Sequence, residues 1–344
     1  MKQLKVSAAL KRNGSIDIFR VIVSMAIVMI HFGSGVPIYS PIYNTLGRMG
    51  VPFFFIVTGY FYFRKQLHNN WNVKSYCRYM RKTFSLWVFW SIIFIPRLFL
   101  VKQDIPITPM IVLRSAFGLD VTCGPLWYLI AAVEGLALAH ICYQKLGVRK
   151  MFILLSLAWV CCALGSGYNG ILPKNSAVDN IFQILTPETS VIAAFFWFGI
   201  ALFLVKYQDT FRRLGKLKYL IICTFLWGCE VVILHQLNLP GGTDMFLLLV
   251  PESVIFFSFL LTFTCQISPA VDKFLCDMSL YIYILQMFAG DLVNTGTNIA
   301  GISEPQKFFW YFWLVLTVDI LLALCVILTK RIFMTTTIRF NYLN

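Results

Sequence analysis

The chain has 344 residues, of which 59% are hydrophobic and only 13% are charged, and its mean hydropathy is +0.75. A soluble domain is usually about 45–50% apolar and about 25% charged, so this apolar excess cannot be hidden in one water-soluble core. The composition therefore predicts a membrane protein, and it excludes a disordered chain or a small disulfide-rich scaffold.

The formal net charge of +14 and the ten cysteines each allow two interpretations. A basic chain can bind nucleic acid, but positive charge in a membrane protein is more typical of cytoplasmic loops, so we expect no nucleic-acid partner. The cysteines are scattered, mostly in apolar runs, and lack the CxxC spacing of a zinc site. We therefore expect free thiols and no bound metal.

Apolar segments of membrane-spanning length follow one another along the chain. The ten predicted spans are 16–33, 46–63, 84–101, 125–143, 151–166, 190–205, 219–236, 245–266, 279–297 and 308–329. The stretch 105–117 is also apolar, but its prolines and Arg114 predict an interfacial or re-entrant piece instead. These segments predict an all-α integral membrane protein of about ten transmembrane helices. We expect a single transmembrane domain over 1–344 and no soluble domain.

Lysine and arginine residues alternate between the two sides of these spans. If the N-terminus is inside, 22 of them fall in inside segments and five in outside loops. The outside residues are Arg48, Lys102, Arg114, Lys174 and Lys307. Because cytoplasmic loops carry the excess of positive charge, both termini are predicted to be cytoplasmic.

Three ionisable residues lie in the first span, where each is costly and therefore a functional candidate. Arg20 and His31 are eleven residues apart, so three helical turns place them on one face, about 16 Å apart. A guanidinium near the cytoplasmic end can bind phosphate or carboxylate, and a histidine deeper in the membrane can act as a general base. Asp17, one turn before Arg20, can hold its side chain. Taken singly, Arg20 could instead snorkel to the surface and His31 could cap the helix.

Five further residues are candidates for substrate binding. Thr58 and Tyr60 lie in the second span, where Thr58 and the following glycine also permit close approach of helices. Trp127 and Tyr128 begin the fourth span, which also carries Glu134; aromatic residues at a boundary anchor a helix but can also stack on sugars. The other ionisable groups within spans are expected to pair in part with one another: Arg97, Glu230, Glu252, Asp291 and Asp319.

Five blocks of residues stand in a fixed order along the chain. They are IDIFR at 16–20 with His31 after ten more residues, VPFFFIVTGY at 51–60, PLWYL at 125–129, FWFG at 196–199 and SLYIYIL at 279–285. In this order they resemble membrane acyltransferase family 3, whose first helix carries an Arg-x10-His signature. The first two blocks also resemble the membrane domain of vancomycin-resistance serine racemases, although no cytoplasmic racemase domain is expected here.

The resemblance implies a reaction, a donor and a site. The family transfers an acyl group, usually acetyl, from cytoplasmic acyl-CoA to a hydroxyl of a cell-surface carbohydrate or its lipid-linked precursor. At the matching positions, Arg20 with Asp17 would lie at the donor site and His31 would be the catalytic base. The protein would be a multi-pass protein of the bacterial cytoplasmic membrane, with membrane lipids and the carbohydrate as partners. Acyl-CoA would be a substrate, no cofactor would be bound permanently, and the oligomeric state is left open.

Two positions depart from the family pattern, and two other functional classes stay open. Gln286 stands where the late motif commonly ends in histidine, and Gly124 and Pro125 replace a histidine before the Leu-Trp pair. His31 is then the well-placed histidine, while His140 and His235 near span ends are expected to be structural or solvated. The alternatives are a transporter or flippase for a lipid-linked sugar or small solute, and a non-catalytic sensing or binding module.

Overall fold

The computed structural model describes residues 13–39, 42–69, 71–100, 124–174, 176–239 and 244–343. Within these ranges the chain is helical and contains no β-strand. Its α-helices are α1 Gly14–Phe32, α2 Gly50–His68, α3 Val73–Leu100, α4 Trp127–Gly165, α5 Ala177–Leu185, α6 Val191–Lys206, α7 Gln208–Leu214, α8 Leu217–Gln236, α9 Leu249–Thr262, α10 Pro269–Ile299 and α11 Phe309–Leu343. A π-helical turn, Tyr43–Gly47, precedes α2.

Five stretches of the described chain are long and apolar enough to cross a membrane, and α5 with α6, bent by 45°, gives a sixth if the pair is one span. They are Gly14–Phe32, Tyr43–His68, Gly124–Gly165, Leu217–Gln236 and Phe309–Ile332. The protein is therefore an all-α, multi-pass membrane protein, as the composition indicates. Each of the ten predicted spans coincides at least in part with a helix, but the number ten and the cytoplasmic termini stay predictions. The predicted interfacial stretch 105–117 lies outside the described residues.

Helix α4 is interrupted at Gly147. This residue has φ of 71° and ψ of 179°, angles that end a helical run and that L-residues rarely adopt. It separates two helical halves, 127–146 and 148–165, and the length of each is close to the roughly 20 residues that a span needs. The break lies between the predicted spans 125–143 and 151–166, so α4 contains both of these spans.

Glycines bring α2 and α4 into close contact with α6. A Cβ added to Gly59 would lie 2.7 Å from Ala201 Cβ, and one added to Gly135 would lie 2.5 Å from Ala194 Cβ. The close approach predicted for the second span is thus confirmed at Gly59. Small residues allow helix backbones to approach each other in membranes, where lipid supplies no hydrophobic force between helices.

Helix α1 is held at the centre of this bundle, where it packs along α10. Asn13 caps its first turn by accepting the Ser15 N–H, and the Ser15 hydroxyl donates to the Phe263 carbonyl. Ser24, which is fully buried, donates to the Ser279 carbonyl of α10 at 2.9 Å. The helix that carries the Arg-x10-His signature is therefore held by hydrogen bonds at its first turn and at Ser24.

Charged side chains pair between helices, as expected in part. Arg97 of α3 binds Asp291 of α10 through two contacts, Nε to Oδ2 at 2.5 Å and Nη2 to Oδ1 at 3.2 Å. Glu252 accepts a hydrogen bond from the Thr224 hydroxyl at 2.9 Å. Asp319 is fully buried, and neither of its oxygens has a hydrogen-bond partner in the described part of the chain. Only the first of these contacts is an ion pair between two predicted intramembrane charges.

Candidate functional site

The first half of α1 holds Arg20 in a cluster with two carboxylates and a thiol. Arg20 Nη1 donates to Asp17 Oδ1 at 2.6 Å and to Cys276 Sγ at 2.9 Å. The Cys276 thiol in turn donates to Asp17 Oδ1 at 3.0 Å. Asp272 completes the cluster, because its carboxyl group lies within 4.8 Å of the other two ligand atoms. The predicted contact between Asp17 and Arg20 is thus present, and α10 adds two residues that the sequence did not indicate.

Arg20 is the cation of this cluster. Asp17 and Asp272 are only 6% and 2% exposed, so two buried carboxylates face one guanidinium. A metal ion could use the same carboxylates and Cys276, but Arg20 Nη1 already lies against two of these three ligands and supplies positive charge there. The two contacts use only Nη1, and the Arg20 side chain is 20% exposed. The rest of the planar fork is therefore placed to bind an oxyanion.

Aromatic residues from three of the sequence blocks meet in one cluster. Phe55 lies against Tyr128 with ring centroids 4.5 Å apart and against Trp127 at 6.2 Å. Tyr283 lies 5.6 Å from Tyr128 and 6.1 Å from Phe54. The second-helix block, the Leu-Trp-Tyr block and the late block, which are far apart in sequence, therefore form one surface between α2, α4 and α10.

Tyr128 connects this aromatic cluster to the Arg20 end of α1. Its hydroxyl lies near the Thr58 side chain, and the charge of Arg20 is close enough to act on it. The neighbouring Tyr283 donates its hydroxyl to the Pro125 carbonyl at 2.9 Å. Two predicted substrate-binding residues, Thr58 and Tyr128, are thus brought together near the predicted donor residue.

Tyr60 and Glu134 lie apart from that pair. Tyr60 is fully buried, with its ring 5.0 Å from Phe257, and its hydroxyl has no partner among the described residues. Glu134 is half-buried, and its Oε2 likewise has no partner in the described chain. It lies two helical turns after Trp127 and therefore on the same face of α4. Substrate binding by Tyr60 and Glu134 stays a prediction.

His31 marks the other end of the site, in the last turn of α1. Its side chain is exposed, and its ring lies 6.4 Å from the Phe32 ring. Arg48 and Asp244 form an ion pair at 2.5 Å, close enough for both charges to act on the His31 imidazole. In the sequence, Arg48 is indicated only as a loop charge and Asp244 is not indicated at all, because nothing local connects either residue to the first helix.

Arg20 and His31 are held apart by the helix that carries both. Helix α1 runs without a break from Gly14 to Phe32, so eleven residues of regular helix separate the two side chains. They lie on one face, about 16 Å apart along the axis. The arrangement provides a cation at one end of α1 and an imidazole at the other, and Tyr128 of the aromatic cluster is close enough to the cation for the charge to act on it.

The other candidate positions are occupied by packed or solvated groups. His140 is 8% exposed, and its Nδ1 is 2.9 Å from the Tyr62 hydroxyl, as expected for a structural histidine. His235 is exposed in the last turn of α8. Gln286 is fully buried and donates to the Tyr283 carbonyl at 2.7 Å. All three residues lie on helices other than α1.

The fold and this arrangement define a multi-pass helical membrane protein whose first helix presents an arginine and a histidine on one face. The chain matches the family model described as an acyltransferase domain over residues 13–329, and it therefore belongs to membrane acyltransferase family 3. The resemblance seen in the five blocks is confirmed.

The curated relatives that match the chain carry a different name. An amino-acid racemase from Enterococcus faecalis is 24% identical over 339 residues, which cover 93% of this chain and 47% of the relative. A serine/alanine racemase from Enterococcus gallinarum is 25% identical over 268 residues, which cover 72% of this chain and 37% of the relative. The chain thus spans about half, or less, of the length of these relatives. No solved structure matches it.

Proposed function

We propose that the protein is an integral acyltransferase of the bacterial cytoplasmic membrane. It transfers an acyl group from cytoplasmic acyl-CoA to a hydroxyl of a cell-surface carbohydrate or its lipid-linked precursor. The preferred acyl group is acetyl. The observation that carries the proposal is the position of Arg20 and His31 on one face of the unbroken helix α1 in a chain of the acyltransferase family. The reaction needs a cation for its anionic donor and a base for its hydroxyl acceptor.

His31 acts on the acceptor in this proposal. A sugar hydroxyl is a weak nucleophile at neutral pH, and a positioned general base typically contributes about 10²–10⁴-fold to the rate. His31 takes the hydroxyl proton while the oxygen attacks the thioester carbonyl. The carbon–sulfur bond then breaks, the proton passes to the CoA sulfur, and the products are free CoA and an oxygen ester of the carbohydrate.

Arg20 acts on the donor. Asp17 and Cys276 fix its guanidinium from one side, so little side-chain freedom is lost when a phosphate binds the rest of the fork. Between Arg20 and His31, the donor meets the aromatic cluster, where Trp127 and Tyr128 offer stacking surfaces. The acyl-bearing arm of CoA has to reach from the Arg20 end towards His31, a distance of about 16 Å.

The experiment that tests this function compares cells with and without the gene. Surface glycans are purified, their ester-linked acetyl groups are released with mild base, and the released acetate is quantified. We expect ester-linked acetyl to be lost on deletion and restored by the wild-type gene but not by His31→Gln. Equal acetylation of glycans in the deletion strain and the wild type, with other acyl esters also unchanged, would contradict the proposed function.

A non-catalytic binding module is the second candidate, and the names of the racemase relatives favour it. In that case the membrane part would bind an amino acid for a racemase. Calorimetry on purified protein separates the two: the acyltransferase binds acetyl-CoA, and the module binds L-serine or L-alanine. Binding of the amino acids without binding of acetyl-CoA would put the second candidate first.

A further inference from the structure

We infer that Asp244, held by Arg48, binds the acceptor beside His31, and that the acceptor is a neutral polyhydroxyl compound rather than a phosphate or carboxylate. The inference rests on the proposed function, because His31 is the base of that reaction. The inference adds an acceptor site to that reaction. The site is formed by two chain segments, and the two residues of its ion pair, Arg48 and Asp244, are 196 positions apart.

The ion pair is close but only partly covered. Arg48 Nη1 lies 2.5 Å from Asp244 Oδ1, and the two side chains are 19% and 39% exposed. This contact uses one of the two carboxylate oxygens of Asp244. A ligand hydroxyl can therefore donate to the other oxygen. The charges of Arg48 and Asp244 both act on the exposed His31 imidazole, so such a hydroxyl is bound at the His31 end of α1.

Arg48 is brought towards the last turn of α1 because the chain before α2 packs tightly on that helix. A Cβ added to Gly47 would lie 2.8 Å from the Ile30 side chain and 2.9 Å from the Ala26 carbonyl oxygen. Only glycine allows this approach. It places Arg48 against the last turn of α1, where His31 follows Ile30.

Asp244 is held from the other side by a buried hydroxyl. The Ser166 side chain is fully buried, and its Oγ accepts the backbone N–H of Asp244 at 2.9 Å and that of Met245 at 3.2 Å. Two bonds to one oxygen fix the backbone from which the carboxylate extends. The charge of Asp244 is therefore positioned before any ligand arrives, which lowers the ordering cost of binding.

Three residues further along, a second anchor fixes the same segment. Glu230 accepts the N–H groups of Leu247 and Leu248, each at 2.8 Å, and also the Tyr168 hydroxyl. Burial, followed by the Glu230 carboxylate, raises the pKa of Tyr168, so its hydroxyl keeps the proton that it donates. The segment that carries Asp244 is thus bonded to α8 and to the end of α4.

The local charge sets the class of acceptor. Asp244 is the more exposed partner of the ion pair, 39% against 19% for Arg48, so a ligand meets a carboxylate oxygen there. Like charges repel, so an anionic acceptor group is disfavoured at this oxygen. A carboxylate is, however, a strong acceptor for hydroxyl groups, so a neutral sugar fits. At the other end of the site the cation is the more exposed partner, 20% for Arg20 against 9% for Asp17, which suits the anionic donor.

The test uses the full chain with three variants. Asp244→Asn removes the charge, and the double variant Arg48→Asp with Asp244→Arg exchanges the two charges but keeps an ion pair. Glu304→Gln is the control, since Glu304 pairs with Lys307 and not with Arg48 or Asp244, and both side chains are at least 60% exposed. Ester-linked acetyl on surface glycans is measured in complemented deletion cells. Acetyl-CoA affinity and thermal unfolding are measured on purified protein.

We expect both Asp244 variants to lower glycan acetylation at least tenfold, while acetyl-CoA affinity stays within twofold and the protein stays folded. Glu304→Gln should behave as wild type in every measurement. If the exchanged pair restored more than half of the acetylation, the pair would only clamp two segments and the inference would be wrong. Loss of acetyl-CoA affinity in Asp244→Asn would also overturn it. Absence of acetylation with the wild-type gene would instead count against the proposed function itself.

Discussion

His31 combines three properties that together suit a base: a position on the Arg20 face of α1, an exposed side chain and an ion pair beside it. His31→Gln keeps a polar side chain of similar size but cannot take a proton. We therefore expect this variant to insert and fold, and to lose at least about 10²-fold of the glycan acetylation rate. His235→Gln is the matched control, because His235 is also exposed in the last turn of a helix. More than about a tenth of wild-type acetylation in His31→Gln would make the imidazole a helix cap.

Arg20 is tested by a substitution that keeps its charge. Arg20→Lys still faces Asp17 but loses the planar fork that binds an oxyanion through two parallel bonds. We expect acetyl-CoA affinity to fall at least tenfold, about 1.4 kcal/mol, with thermal unfolding little changed. Calorimetry measures the affinity, and Arg213→Lys on the exposed face of α7 serves as the control. Equal affinities for wild type and Arg20→Ala would remove Arg20 from the donor site.

The contacts of Arg20 also show which site residues a sequence can reveal. Asp17 precedes Arg20 by one turn and His31 follows it by three, and helical periodicity alone places all three. Cys276 was not found, because its partner Asp17 lies 259 residues away and no local spacing connects the two residues. Asp244 was missed for the same reason. Local spacing predicts which side chains share a face, but not what packs against that face.

At the scale of elements, the contact between α4 and α6 depends on Gly135. A Cβ there would lie 2.5 Å from Ala194 Cβ and 2.8 Å from the Ala194 carbonyl carbon, so the helices would have to separate. We expect Gly135→Ala to lower the free energy of unfolding by about 1–3 kcal/mol. Gly228→Ala in α8 is the control, because nothing lies within 4 Å of its added Cβ, and alanine favours helix by up to about 1 kcal/mol. Denaturant titration in detergent measures the free energy of unfolding of both variants. If Gly135→Ala and Gly228→Ala had equal free energies of unfolding, the interface between α4 and α6 would accommodate the added methyl group without cost.

Hydropathy alone does not predict the short helices. α5 is absent from the predicted spans because it is too short to cross a bilayer, yet its start carries a local signal. Ser176 accepts the Asp179 N–H at 3.1 Å, the geometry of a helix N-cap, and Asp179 lies in the first turn. A search for caps as well as apolar length would have found this helix. Gly147, in contrast, lies in the short connection that hydropathy predicts between the spans 125–143 and 151–166, and its positive φ is one that glycine readily adopts.

For the whole molecule, the charge distribution predicts which loops face the cytoplasm. Cys77 is exposed in the first turns of α3, within the predicted cytoplasmic loop 64–83. A membrane-impermeant maleimide should leave Cys77 unlabelled in intact cells and label it in inverted vesicles. Glu304→Cys, at an exposed position of a predicted outer loop, should show the opposite pattern, and Cys77→Ser identifies the labelled peptide by mass spectrometry. Labelling of Cys77 in intact cells would reverse the topology.

The ion pair between Arg97 and Asp291 also constrains how the chain is made. The two residues are 194 positions apart, so at about 5–20 residues per second the ribosome reaches Asp291 about 10–40 s after Arg97. A charged side chain is costly in lipid while it has no counter-ion. During that interval α3 lacks the Asp291 carboxylate, so this part of the charge compensation of Arg97 arrives only when α10 is made. The contact between α3 and α10 therefore forms late in the insertion of the chain.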